Sequence, residues 1–134
     1  MKQTILVITS KFDVHADYVA IEIRNMGGDI IRMNTEDMMC NSDFYLKKLE
    51  STSEWKLYLH FKDSQKTITE KIFDTVWYRK PSPIEVDSMV EEDHAKTFIQ
   101  EEYDCFLRSF YTLYSHKRWI NPFWDLRHAS QKLP

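Results

Sequence analysis

Phe73-Asp74-Thr75-Val76-Trp77-Tyr78-Arg79-Lys80-Pro81 is the stretch on which the fold turns. Thr75 to Tyr78 are β-branched or aromatic, the residue types that fit a pleated, half-buried strand. Two cations follow, and Pro81 and Pro83 end the ladder because proline has no N–H to donate. In a βα-type chain, a strand that carries charges at its carboxyl end delivers them to the edge where open α/β sheets bind ligands. The alternative is that Arg79 and Lys80 only solvate a strand terminus.

Upstream, Thr4-Ile5-Leu6-Val7-Ile8-Thr9 is a continuous apolar run, as expected of a strand covered on both faces. Ser10 to Val14 turns the chain, and Asp13 is placed to cap a helix whose apolar face is Ala16, Val19, Ala20, Ile23 and Met26. Gly27-Gly28 supplies the positive φ that closes helices, and Asp29 to Asn34 reads as a second strand. Strand, helix and strand make one right-handed βαβ unit. Thr35 to Ser42 reads as a polar connector. The period then falls to two. Trp55, Leu57, Leu59 and Phe61 alternate with Lys56, Tyr58 and His60, and with Phe44-Tyr45-Leu46 they predict a half-buried antiparallel hairpin across Glu50 to Ser53. Lys66 to Ile72 reads as a short strand or a helical turn.

Downstream, Ser88 and Glu91 fit a capping box that opens a helix running to about His116. Its stripe is Ala95, Ile99, Tyr103, Phe106, Phe110 and Leu113, and Phe98, Leu107, Tyr111 and Tyr114 lie on a neighbouring stripe. That width reads as core, with a docking face as the alternative. Arg118 to Asn121 is a last short strand, ended by Pro122. Phe123 to Lys132 reads as a helical turn entering a further helix that has barely begun at Pro134, so a following segment is expected.

A chain of 134 residues fits one domain that buries roughly two-thirds of its unfolded surface. A net charge of -3 gives no basic field for nucleic acid. Cys40 and Cys105 match no metal or redox spacing and read as free thiols. No apolar run approaches a signal-peptide core or a membrane span, so a cytoplasmic protein with no membrane partner is expected. Gly27 and Gly28 are the only glycines, which excludes a glycine-rich phosphate loop. The five histidines are scattered without zinc spacing, and no serine or cysteine sits in a nucleophile motif. Glu91-Glu92-Asp93 and Glu101-Glu102 read as helix-dipole compensation and a solvated face. No catalytic or metal-binding residue is therefore predicted. What remains is a row of polar groups at strand ends: Thr9 and Ser10, Asn34 and Thr35, Arg79 and Lys80, and Asn121. They share one rim if the strands align, or else they only cap turns and helices.

Read together, these segments resemble the N-terminal, pre-ATP-grasp domain of the microviridin or graspetide type of ATP-grasp peptide ligase. The similarity rests on the Thr9-Ser10 turn followed by Asp13, on Arg32-Met33-Asn34-Thr35, on Trp77-Tyr78-Arg79-Lys80-Pro81, and on Trp119-Ile120-Asn121-Pro122 with Lys132 beyond. Gln131 stands where the family usually has asparagine, Phe123-Trp124 is bulkier than its usual residues, and residues 36 to 72 match loosely.

The resemblance implies a Rossmann-like α/β fold: a mixed sheet of about four parallel strands plus an antiparallel hairpin, with helices on both faces. It implies a domain over residues 1–122 and, in 123–134, the start of a connection to ATP-grasp domains outside these residues. The full-length ligase would use ATP and Mg²⁺ to phosphorylate a side-chain carboxylate of a ribosomal precursor peptide. A hydroxyl or amine would then capture the acyl phosphate as an ester or amide. Arg79, Lys80, Asn34 and Asn121 become candidate substrate-binding residues and Lys132 a candidate nucleotide contact. The partners are the precursor peptide, the remaining domains and, as one option, a second copy. The isolated segment is expected to be inactive and to bind no cofactor. Two other readings stand beside this one: a free-standing peptide-binding or regulatory module, and a receiver-like or flavodoxin-like domain. The absence of an acidic pair after the first strand weakens the last.

Overall fold

The computed structural model describes residues 2–69 and 72–124. The chain forms β1 (Thr4–Thr9), α1 (Val14–Asn25) and β2 (Asp29–Asn34), then a 3₁₀ turn (Thr35–Asp37) running into the short α2 (Met38–Asn41). The strands β3 (Ser42–Lys48), β4 (Trp55–Phe61), β5 (Thr67–Ile68) and β6 (Thr75–Tyr78) follow, then the long α3 (Asp93–Leu113) and β7 (Arg118–Ile120).

Four strands pair in parallel in the order β2-β1-β6-β7, and β3, β4 and β5 form a separate antiparallel sheet. Alternation along β1 divides the core. Val7 points toward α1, where Ala16 and Ile30 are buried with it and Ile5, Ala20, Ile23 and Trp77 pack around them. Leu6 and Ile8 point the other way, into the main core with Met33, Val76, Leu59, Ile68 and Phe110. The parallel sheet is thus covered by α1 on one side, and by α3 with the antiparallel sheet on the other. The two sheets serve one core because Leu57, Leu59 and Phe61 do face inward, as their period of two predicts. Phe44 of β3 stacks on Phe106 of α3 with ring centroids 3.9 Å apart.

The α1 boundaries follow their signals. Asp13 caps the helix by accepting from the Ala16 amide at 3.3 Å. Gly27 has a φ of 87°, and a Cβ on Gly28 would lie 2.9 Å from the Ile23 side chain. Only Ala16 of the expected α1 face is fully buried, and Val19 and Met26 face solvent.

Three expectations need correction. The Ser88–Glu91 capping box does not form. Asp87 instead accepts from the Met89 amide and makes a local turn, and α3 starts at Asp93. The buried stripe of α3 runs through Leu107, Phe110 and Tyr111 and continues to Tyr114, whereas Leu113 and Phe98 are exposed. The connector after β2 is not merely polar, for Thr35, Glu36 and Met38 are all buried. Thr67–Ile68 is a strand, which decides the choice left open for that segment. No helix among the described residues is long and apolar enough to cross a membrane.

Candidate functional site

Parallel registers bring the strand ends to one edge. Thr9 pairs with Asn34, and Ile8 pairs with Tyr78, so Arg79 follows directly, its amide donating to the Ile8 carbonyl at 2.9 Å. Trp77 pairs with Ile120, which sets Asn121 beside Tyr78. Asn34, Thr9, Arg79 and Asn121 therefore lie in strand order along one rim, spanning roughly 14 Å at about 4.8 Å per strand.

The rim is built around Asp13. Its carboxylate accepts from Arg79 Nε at 2.6 Å and Nη2 at 3.2 Å, from Thr9 Oγ1 at 2.6 Å and from the Ala16 amide. Burial by itself would push this carboxyl up. The hydrogen bonds from Arg79, Thr9 and Ala16 and the Arg79 charge outweigh that and hold it well below the usual carboxylate range. The Arg79 guanidinium also lies 5.2 Å from the Trp77 ring centroid, so the strand's aromatic and its cation share the α1 side of the sheet.

The sequence reading had no role for Arg32 beyond its place in a motif. Its Nε donates to Asn34 Oδ1 at 2.9 Å, its Nη2 donates to the Ser10 and Asp13 carbonyls, and its Nη1 pairs with Asp17. One guanidinium thereby ties the end of β2 to the turn that carries Asp13. A lone cation inside an apolar strand was the available signal. Glu36 was also missed, and nothing local announces it. Its Oε1 accepts from the Lys11 amide at 2.6 Å and its carbonyl from the Glu85 amide at 3.0 Å. Its Oε2 is buried with no hydrogen-bond partner among the described residues. Thr35 Oγ1 donates to the Ser82 carbonyl at 2.6 Å, and Lys11 Nζ lies 3.5 Å from Asp37 and 3.7 Å from Glu85. Asp37 first, then Glu85, push the Lys11 ammonium up. The three loops after β1, β2 and β6 are thus stapled together.

The predicted site residues fare differently. Arg79 is on the rim, with its Nε and Nη2 on Asp13 and its Nη1 without a hydrogen-bond partner among the described residues. Lys80 is exposed, Asn34 is held by Arg32, and Asn121 sits exposed at a φ of 56°. Lys132 lies outside the described residues. Gly27-Gly28 is at the opposite, amino end of the sheet beside Gln3. No group of three His, Cys, Asp or Glu among the described residues could hold a metal ion. None of these residues is assigned to ATP or Mg²⁺.

A Rossmann-like α/β domain with its polar side chains gathered at the carboxyl rim is the class that fold and site define. Residues 4–127 match the MvdD pre-ATP grasp domain, and the chain belongs to that family. Three solved structures share the fold. Macrocyclase MdnB from Microcystis aeruginosa MRC aligns with a TM-score of 0.80 at 18% identity over 95% of this chain and 40% of that one. Macrocyclase MdnC from the same source, bound with precursor peptide MdnA, gives 0.78 at 18% identity over 97% and 41%. A RiPP-associated ATP-grasp ligase from Chryseobacterium gregarium, in complex with ADP and a leader and core peptide, gives 0.66 at 22% over 81% and 32%. The chain therefore spans between 32% and 41% of the length of these proteins. No curated protein matches the sequence.

Proposed function

We propose that this chain supplies the pre-ATP-grasp part of an ATP-dependent ligase that joins side chains of a ribosomally made precursor peptide. The observation that carries the reading is the family match over residues 4–127, and solved proteins of this fold held with precursor or leader and core peptides support it. Residues 1–122 form the domain, and 123–134 lead toward the ATP-grasp domains that bind ATP and Mg²⁺. In the full-length ligase those domains would activate a peptide carboxylate as an acyl phosphate, and a hydroxyl or amine would close the ester or amide. The residues described here contribute orientation and charge. Asp13 fixes the Arg79 guanidinium, and the unpartnered Nη1 together with Lys80 meets the substrate carboxylate beside the amides of Asn34 and Asn121. Taken alone, the segment turns over no ATP.

The test is incubation of the full gene product with Mg-ATP and its precursor peptide, followed by mass spectrometry. Loss of one water per cross-link with release of ADP is the expected result. Removing the side chain in Arg79→Ala should raise the barrier by roughly 2–4 kcal/mol if Nη1 meets developing charge. A precursor that binds but is never altered in the presence of ATP would leave the peptide-binding module as the function.

A further inference from the structure

The antiparallel sheet has an open edge. β3 pairs with β4, and no strand among the described residues pairs with its other side. At the two ends of that ladder the Leu49 amide donates to the Glu54 carbonyl at 2.8 Å and the Lys62 amide to the Asn41 carbonyl at 2.7 Å. Odd-numbered residues of this segment therefore bond to β4. By the alternation of an antiparallel pair, the N–H and C=O groups of Ser42, Phe44, Leu46 and Lys48 point to the open edge. A seven-residue strand left this way is a template for another strand.

Charge says which strand fits. Asp43, Tyr45 and Lys47 lie opposite His60, Tyr58 and Lys56 on the outer face of the sheet. Lys47 and Lys56 are like charges directly opposite, an unfavourable pairing, and neither has an ion-pair partner among the described residues. Asp43 is committed weakly, to Lys62 at 3.8 Å with its own side chain 69% exposed. Tyr45 stacks on Tyr58 with ring centroids 5.0 Å apart and is still 52% exposed. β3 thus carries an acid and a base on either side of an exposed ring, a pattern that is its own complement when the strand is reversed.

We propose that two copies of this chain join along β3, antiparallel, about a twofold axis beside Tyr45, so that the two three-stranded sheets become one continuous sheet. Centred there, Ser42 meets Lys48 of the second copy, Asp43 meets its Lys47 and Phe44 meets its Leu46. All seven residues pair, and the edge-facing groups meet one another. Moving the axis to Asp43 or Lys47 sets like charges opposite each other, and moving it to Phe44 or Leu46 leaves Asp43 and Lys47 against uncharged residues. Charge and hydrogen bonding thus select one register, in which each Lys47 gains the anion that its place opposite Lys56 lacks. Any strand would satisfy the hydrogen bonds of the edge; the reversed copy also answers both charges.

The experiment is sedimentation equilibrium of the full gene product over a range of concentrations, and a concentration-dependent dimer is expected. Asp43→Lys and Lys47→Asp, each at an exposed position, turn both symmetry-related pairs repulsive and should each weaken the dimer about tenfold. Mixed in equal amounts, the two variants should recover the wild-type affinity as a heterodimer, which a folding defect in either would not allow. In a Cys40→Ser, Cys105→Ser background, Tyr45→Cys should form a disulfide between copies on mild oxidation, because the opposed Cα atoms of a non-hydrogen-bonded antiparallel pair lie about 4.5 Å apart. A monomer at every concentration overturns the proposal, whether the edge stays open or takes a peptide strand instead. A dimer that ignores both charge variants and does not link through Tyr45→Cys overturns it equally.

Discussion

Asp13 and Arg79, 66 positions apart, meet through two hydrogen bonds at 2.6 and 3.2 Å that join the start of α1 to the end of β6. The Asp13 side chain is 2% exposed and that of Arg79 21%, so the pair is held mostly out of water. Asp13→Asn keeps the shape and removes the charge that Arg79 needs. The expected cost is about 3 kcal/mol, at the low end for breaking a buried pair because Arg79 keeps some water contact. Urea unfolding of the two proteins measures it.

The same carboxylate sets an acid limit. Its folded value is lowered from the ordinary 3.8, so over that interval the unfolded chain binds more protons than the folded one and stability rises with pH. The contribution is complete above the unfolded value and is lost as pH falls through the folded one. The stability gap between the wild type and Asp13→Asn should be constant from neutral pH to about 5 and shrink below about 4. A gap that does not change down to the acid transition would detach the pair from acid unfolding.

Gly27 and Gly28 give a contrast within one turn. Gly27 has a φ of 87° and nothing within 4 Å of an added Cβ, so Gly27→Ala should cost about 1–2 kcal/mol from backbone strain alone. Gly28→Ala meets the Ile23 side chain at 2.9 Å and the Ile23 carbonyl at 3.3 Å, and overpacking should cost about 1–3 kcal/mol. Adding Ile23→Ala, which removes the Cγ2 methyl that the new Cβ would meet, should relieve the second substitution and leave the first unchanged, as a thermal double-mutant cycle would read.

Removing Glu36 separates rim order from global stability. Glu36→Ala leaves the Lys11 amide without its acceptor, at an expected cost of about 1–3 kcal/mol. Native-state hydrogen exchange should accelerate at Lys11 well before the amides of β1 respond. Equal acceleration across β1 would make Glu36 a core residue rather than a staple.

Large aromatic truncations should rank by burial. Phe110, 2% exposed in the main core, should cost about 3–5 kcal/mol on truncation to Ala. Trp77→Ala should cost less, because Trp77 is only half-buried between α1 and Arg79. Denaturant midpoints of the two variants check the order.

Much of the architecture was legible because it is written in short-range period. The apolar run of β1, the alternation of β4, the Asp13 cap and the glycine pair each declare themselves within a few residues. The family match bears out the resemblance carried by the strand ends. The start of α3 was misread because Asp87 offers its own turn just ahead of a good capping pattern. The rim's wiring was not legible at all. Arg32 finds Ser10 and Asp17, and Glu36 finds Lys11, only after the βαβ unit has closed, and no local pattern encodes such partners.

The pleat of β6 sends Tyr78 and Arg79 into separate compartments of the molecule. A single-residue insertion in that strand would exchange them, driving a permanent charge among the edge-on and tilted rings of Tyr111, Trp119 and Phe123 and leaving Asp13 to face a phenol. Length changes between Thr75 and Pro81 should therefore be far more harmful than most point substitutions there. Selection on such a protein would hold the spacing of this segment more tightly than the identity of any one side chain in it.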